Sequence, residues 1–105
     1  MGEKGIKIRD IEHLKDLLRK SPVPIKSAFL FGSRARGDWL EESDWDIMII
    51  SPEFADIPFP DRATMLLRRI PLRRVELLCY TEEEFQERIE EIGIVAEAAK
   101  GKRLV

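Results

Sequence analysis

Phe31-Gly32-Ser33-Arg34-Ala35-Arg36-Gly37-Asp38-Trp39-Leu40-Glu41-Glu42-Ser43-Asp44-Trp45-Asp46-Ile47-Met48-Ile49-Ile50 is the stretch that decides the fold. An apolar run, Ala28-Phe29-Leu30-Phe31, leads into it and reads as the end of a first strand, Ser27–Phe31. Gly32-Ser33 makes the turn, and Arg34–Gly37 reads as a short helix start. Ile47–Ile50 continues a second strand of about residues 44–50. Ser51-Pro52 then ends it, so this apolar run is a buried strand and not part of a membrane span.

Side chains alternate along a strand, which puts Asp44, Asp46, Met48 and Ile50 on one face and Trp45, Ile47 and Ile49 on the other. Two carboxylates placed so closely raise each other's pKa. A divalent cation relieves that repulsion, and Mg²⁺ prefers oxygen ligands while leaving other positions for water and substrate phosphates. Gly32 permits close backbone approach, Ser33 adds a hydroxyl, and N–H groups at a following helix start favour anions. Arg34 and Arg36 can add charge-assisted contacts to phosphate oxygens. The pattern therefore points to a nucleoside triphosphate and Mg²⁺.

Working outward, Ile8, Ile11, Leu14, Leu17 and Leu18 predict an amphipathic helix over about 8–20, ended by Ser21-Pro22-Val23-Pro24. Pro52 to Pro60 reads as a loop. Asp61 is the expected N-cap of a helix over about 62–70, which Pro71 ends. Arg73–Tyr80 is the third strand. Thr81 and Glu84 form a capping box, and Phe85, Ile89, Ile92 and Val95 or Ala96 mark the stripe of one terminal helix. The expected architecture is α/β (α+β): a small mixed sheet flanked by helices, in a single domain spanning 1–105.

Glu76 interrupts the apolar run Val75-Glu76-Leu77-Leu78-Cys79. If strands two and three are neighbours, it can join Asp44 and Asp46. Three carboxylates can hold two metals about 3.5–4 Å apart, as in-line nucleotidyl transfer needs. Arg74 is expected on the Glu76 face by alternation. Arg62, Arg68, Arg69, Arg73 and Arg74 otherwise read as a solvated basic cluster, the alternative being a patch for triphosphate, RNA or an acidic partner. Trp45 is expected in the core, Trp39 in the loop, His13 at the surface, and Phe54, Ile57 and Phe59 closing the core.

The net charge is −2, which argues against a nucleic-acid partner. Charged residues make up 36% of the chain, above the usual quarter. The single cysteine, Cys79, excludes an intrachain disulfide and fits a reducing cytoplasm. Its place in an apolar run predicts a buried, inert thiol. Met1-Gly2-Glu3-Lys4 lacks the apolar segment of a secretory signal, and no run is long enough to cross a membrane.

The motif resembles the signature of the DNA-polymerase-β-like nucleotidyltransferase superfamily, Gly-Ser, ten residues, then Asp-x-Asp. It is closest to the minimal nucleotidyltransferase group, with Gly32-Ser33-Arg34-Ala35-Arg36-Gly37 matching Gly-Ser-x-Ala-Arg-Gly and Ser43-Asp44-Trp45-Asp46 matching Ser-Asp-x-Asp. The resemblance implies Mg²⁺-dependent transfer of a nucleoside monophosphate, AMP from ATP or its counterpart from another NTP. Asp44, Asp46 and Glu76 would be the catalytic and metal-binding residues. Gly32, Ser33, Arg34, Arg36 and Ser43 would be the nucleotide-binding ones. It also implies a HEPN-type protein partner in a toxin–antitoxin pair, with a homo-oligomer left open. Two departures stand out. Glu76 replaces the family's usual third aspartate, and the chain has no room for an acceptor-selecting domain. The rival reading is an antitoxin-like subunit that binds nucleotide weakly and acts by contact.

Overall fold

Parallel pairing of strands two and three decides whether the acidic residues meet, and it is present. β2 (Trp45–Ile50) pairs antiparallel with β1 (Ser27–Phe31) and parallel with β3 (Val75–Tyr80). A two-residue β4 (Lys102–Arg103) adds antiparallel to the far side of β1, giving the order β3-β2-β1-β4. These strands come from a computed structural model that describes residues 5–40, 42–90 and 93–105. Glu41 and Ile92, both used in the sequence reading, lie outside the described residues.

Ile47, Met48, Ile49 and Ile50 are all fully buried, so both faces of β2 are covered. On one face, Leu30, Trp45, Ile47 and Ile49 pack with Leu14 and Leu18 of α1 (Ile11–Arg19) and Leu66 of α3 (Phe59–Arg69). On the other, Met48, Ile50 and Tyr80 pack with Phe85 of α4 (Glu82–Ile89) and with Val95 and Ala98 of α5 (Ile94–Ala99). A continuous apolar run suits a strand buried on both sides. α2 (Gly32–Arg36) caps the end of β1.

Local chemistry sets the helix ends. Asp10 caps α1 by accepting from the His13 N–H at 2.8 Å. The expected capping box of α4 is present, with Glu84 N–H donating to Thr81 Oγ1 at 3.2 Å and Thr81 N–H donating to Glu84 Oε1 at 2.9 Å. α3 begins three residues before its expected start. Pro58 is the cap and Pro60 sits in the first turn, where the missing N–H costs nothing, so Asp61 is inside the helix and not its cap. The expected loop after β2 contains a 3-10 turn, Pro52–Asp56, capped by Ser51, with Phe54 fully buried. α4 and α5 are separate helices and not one, and β4 follows them. Among the described residues no helix is long and apolar enough to cross a membrane.

Arg62 does not belong to a solvated cluster. It is 5% exposed and holds Glu84 with two hydrogen bonds, Nη1 to Oε1 at 2.6 Å and Nη2 to Oε2 at 3.1 Å. It also donates to the carbonyls of Ile57 at 2.9 Å and Cys79 at 3.1 Å. The guanidinium thus ties α3 to β3 and α4, and it pulls Glu84 down to about 2. Cys79 is buried, and burial pushes its thiol up to about 12, which matches the inert role expected of it.

Candidate nucleotidyl-transfer site

One end of the sheet carries the acids. The register aligns Phe31, Asp46 and Glu76 side by side across β1, β2 and β3, on the face that α4 and α5 cover further along. Helix cover stops short of this row, leaving a hollow of about 430 Å³ lined by Phe31, Asp46, Glu76 and Leu78 among others. Asp46 is half-buried and Glu76 is exposed at its edge. Asp44 lies one residue before β2 and is exposed, so it approaches Asp46 from the strand's entry and not from within the ladder.

Gly32 forms the wall against which Asp46 rests. Its φ is +72°, a left-handed conformation. A Cβ there would overlap Asp46 Oδ2 and stand 3.0 Å from Cγ and 3.3 Å from Cβ. Desolvation raises the Asp46 pKa above the ordinary carboxylate value, and the charges of Glu76 and Asp44 raise it further, while Arg36 opposes them. The three acids therefore feel one another, and the repulsion falls on Asp46.

That donor set fits a hard divalent cation. Its oxygen ligands are of the right type, and a positive charge beside Asp46 would reverse the repulsion that now raises its pKa. Among the described residues no three His, Cys, Asp or Glu side chains are already drawn together as a metal-holding group. Asp44 and Glu76 are both exposed.

The loop from α2 to β2 is fixed from its inner side. Arg34 Nε and Nη2 donate to the Ser43 carbonyl at 3.2 and 2.9 Å, and the guanidinium lies 4.2 Å from the Trp39 ring and 4.3 Å from the Trp45 ring. Ser43 Oγ accepts from the Leu40 N–H at 2.9 Å. Arg34 and Ser43 are thus engaged in shaping the loop that delivers Asp44. Arg34 lines a different hollow, with Lys7, Glu42, Arg73 and Arg74. Arg74 joins it there and not on the Glu76 face. Its φ of +56° breaks the strand alternation, and its Nη1 donates to the Glu42 carbonyl at 3.1 Å.

Gly32, Ser33 and Arg36 stay together at α2. Arg36 is exposed, with Nε 3.3 Å from Asp38 Oδ2. Beside Gly32 runs a second groove of about 740 Å³, lined by Arg36 and, from the C-terminal turn, Lys100 and Lys102. Neither lysine stood out in the sequence. The end of α5, which packs on β1, and the two-residue pairing of β4 with β1 bring them to the motif.

Known proteins resemble this chain along most of its length. A Methanocaldococcus jannaschii protein described as a "Putative protein adenylyltransferase" is 38% identical over 90 residues, covering 83% of this chain and 81% of its own. A crystal structure of a "putative nucleotidyltransferase" from Sulfolobus solfataricus superposes with a TM-score of 0.58 at 28% identity, over 93% of this chain and 89% of that one. The family described as "Nucleotidyltransferase domain" matches residues 11–103. With that family matched over residues 11–103 and a relative 38% identical over most of both chains, the chain belongs to the nucleotidyltransferase domain family and is a nucleotidyltransferase.

Proposed function

We propose that this chain, as one catalytic domain, transfers AMP from ATP to a hydroxyl on a protein acceptor. The observation that carries the reading is the Asp46 carboxylate resting on the Gly32 backbone with Glu76 beside it in register. The M. jannaschii relative's description as a protein adenylyltransferase supports the choice of AMP and of a protein acceptor.

Asp44, Asp46 and Glu76 would hold Mg²⁺, which when bound would supply charge neutralisation for the triphosphate and the leaving pyrophosphate. Gly32 and Ser33 bring backbone and hydroxyl to the phosphates. Asp46, held by Gly32, fixes where the α-phosphate sits. The acceptor oxygen attacks the α-phosphorus, the α–β phosphoanhydride bond breaks, and pyrophosphate leaves with the bonding electrons. The acceptor proton passes to the Glu76 carboxylate. Glutamate suits that task, because its extra methylene lets an exposed side chain swing between the Asp46 end of the row and the acceptor.

A second reading rests on Trp39, 47% exposed, and Leu40, 72% exposed, in the loop beside Asp44. They offer an apolar contact for a partner of the HEPN type, which the chain would neutralise by contact with nucleotide as a structural ligand only.

The deciding experiment incubates purified chain and host-cell lysate with Mg²⁺ and either α- or γ-labelled ATP. Label on a protein band from the α-phosphate that the Asp44→Asn/Asp46→Asn double variant does not give, with labelled pyrophosphate released from the γ-labelled nucleotide, is the expected result. γ-Label above that of the same lysate without the chain would mean a kinase. No transfer with any of the four NTPs would leave the contact reading.

A further inference from the structure

The groove beside Gly32 is cationic, and it starts where Asp46 is fixed. Arg36 lines it from α2, and Lys100 and Lys102 line it from the turn into β4. The turn has a defined backbone: Gly101 N–H donates to the Ala98 carbonyl at 3.0 Å, Lys100 N–H to the Glu97 carbonyl at 3.1 Å, and Lys102 pairs with Leu30 of β1. Both lysines therefore leave the backbone from set positions beside the Gly-Ser turn. Among the described residues Glu97 is the one acid that lines this groove, and it meets Lys100 Nζ only at 4.0 Å, with both side chains 75% exposed; Asp38 meets Arg36 Nε at 3.3 Å, with both 64% exposed. Water screens such exposed pairs strongly, and a phosphate can displace them.

We propose that Lys100 and Lys102, with Arg36, form the seat for the β- and γ-phosphates, making this chain selective for triphosphates over the monophosphate it transfers. The inference rests on the nucleotidyl-transfer reading above. Three separate features support it. The groove abuts the wall of Asp46, so an α-phosphate at Asp46 leaves the rest of the polyphosphate next to the groove. Its volume, about 740 Å³, has room for a polyphosphate tail. Its three cations match the polyanion in sign, in a chain whose net charge of −2 gives no general attraction. A phosphate chain held at both ends also cannot slide, so the scissile bond stays placed. After transfer, the same lysines hold pyrophosphate, whose departure frees the site.

The test measures binding of ATP, inorganic triphosphate and AMP by calorimetry with Mg²⁺, alongside kcat and KM for transfer. The variants are the doubles Lys100→Ala/Lys102→Ala and Lys100→Arg/Lys102→Arg. The alanine pair should weaken ATP and triphosphate on the order of tenfold or more, the scale of lost charged hydrogen bonds, and AMP less than about twofold. KM should rise more than kcat falls, the arginine pair should restore affinity, and the thermal melts of all three proteins should coincide. Equal ATP affinity in wild type and the alanine pair overturns the assignment while leaving transfer itself intact. Equal weakening of ATP and AMP also overturns it. A wild type that binds no NTP overturns both this inference and the function it rests on.

Discussion

Asp46→Asn should lower nucleotidyl transfer by on the order of 10²–10³-fold or more, the scale on which removing one partner of developing charge acts. The fold should keep or gain stability. Asp46 is a carboxylate whose pKa the folded protein raises through burial and the charges of Glu76 and Asp44. A raised folded value means that the folded state favours the protonated form, so ionisation above that value works against folding. Asparagine resembles the protonated form and removes that cost. Activity and thermal stability should therefore move in opposite directions, as they do where function depends on a strained arrangement of charge. Gly32→Ala should reproduce the loss of activity by geometry alone. The new Cβ would overlap Oδ2 and crowd Cγ and Cβ, which forces the carboxylate to turn away. A displacement of about 1 Å at such a site costs on the order of 10²-fold, and the left-handed φ adds about 1 kcal/mol of destabilisation. Gly37→Ala is the matched control. Its φ is +88°, but a Cβ there meets nothing within 4 Å, so it should cost about the same stability and far less activity. Steady-state transfer with urea melts on the same preparations separates the cases. Full activity in Gly32→Ala would remove Asp46 from the centre of the site.

The Gly-Ser and Asp-x-Asp spacing was legible in the sequence because both pieces are local. Gly32-Ser33 and Asp44-x-Asp46 are tied by strand periodicity and a short turn, whereas the adjacency of β2 and β3 was only a condition in the sequence, because no local pattern sets strand order. The parallel register that sets Asp46 beside Glu76 satisfies that condition. What periodicity could not carry was any partner from a distant element. Arg34 was legible as a cation near phosphates, but its engagement with Trp39, Trp45 and the Ser43 carbonyl depends on a loop closing back on α2. Arg74 follows alternation only if the strand starts regularly, and a positive φ at that residue turns it to the other side. Lys100 and Lys102 have no signature of their own, because two residues of β4 carry no detectable period. Arg62 resembles its neighbours Arg68 and Arg69 in sequence and differs from them only in what lies above it.

That difference gives the second large effect. Arg62→Met should cost about 3–5 kcal/mol, because it takes the donor from two carbonyls at about 1–3 kcal/mol each and removes a partner from a partly screened carboxylate. Methionine can fill the aliphatic stem, so the loss is not mainly a cavity. It leaves the Ile57 and Cys79 carbonyls without the guanidinium that bonds them, and it leaves Glu84 without its bidentate partner. In a chain of this size such a loss should lower the melting temperature by more than about 10 °C. The pH dependence identifies the cause. Glu84 has a folded value of about 2 against an ordinary 4.5. A depressed carboxylate stabilises the fold above its ordinary value, and that contribution fades as the pH falls from about 4.5 towards 2. Wild type should lose stability across that window, whereas Arg62→Met should start lower and lose less. Glu84→Gln should keep one acceptor for the guanidinium and the capping-box geometry. Its carboxylate site is 35% exposed, where water screens the pair, so its cost should be smaller, about 1–2 kcal/mol, with the acid limb equally flattened. Parallel acid limbs in wild type and Arg62→Met would show that the pair does not govern acid stability. The fold would then depend on Arg62 through its two carbonyl bonds alone.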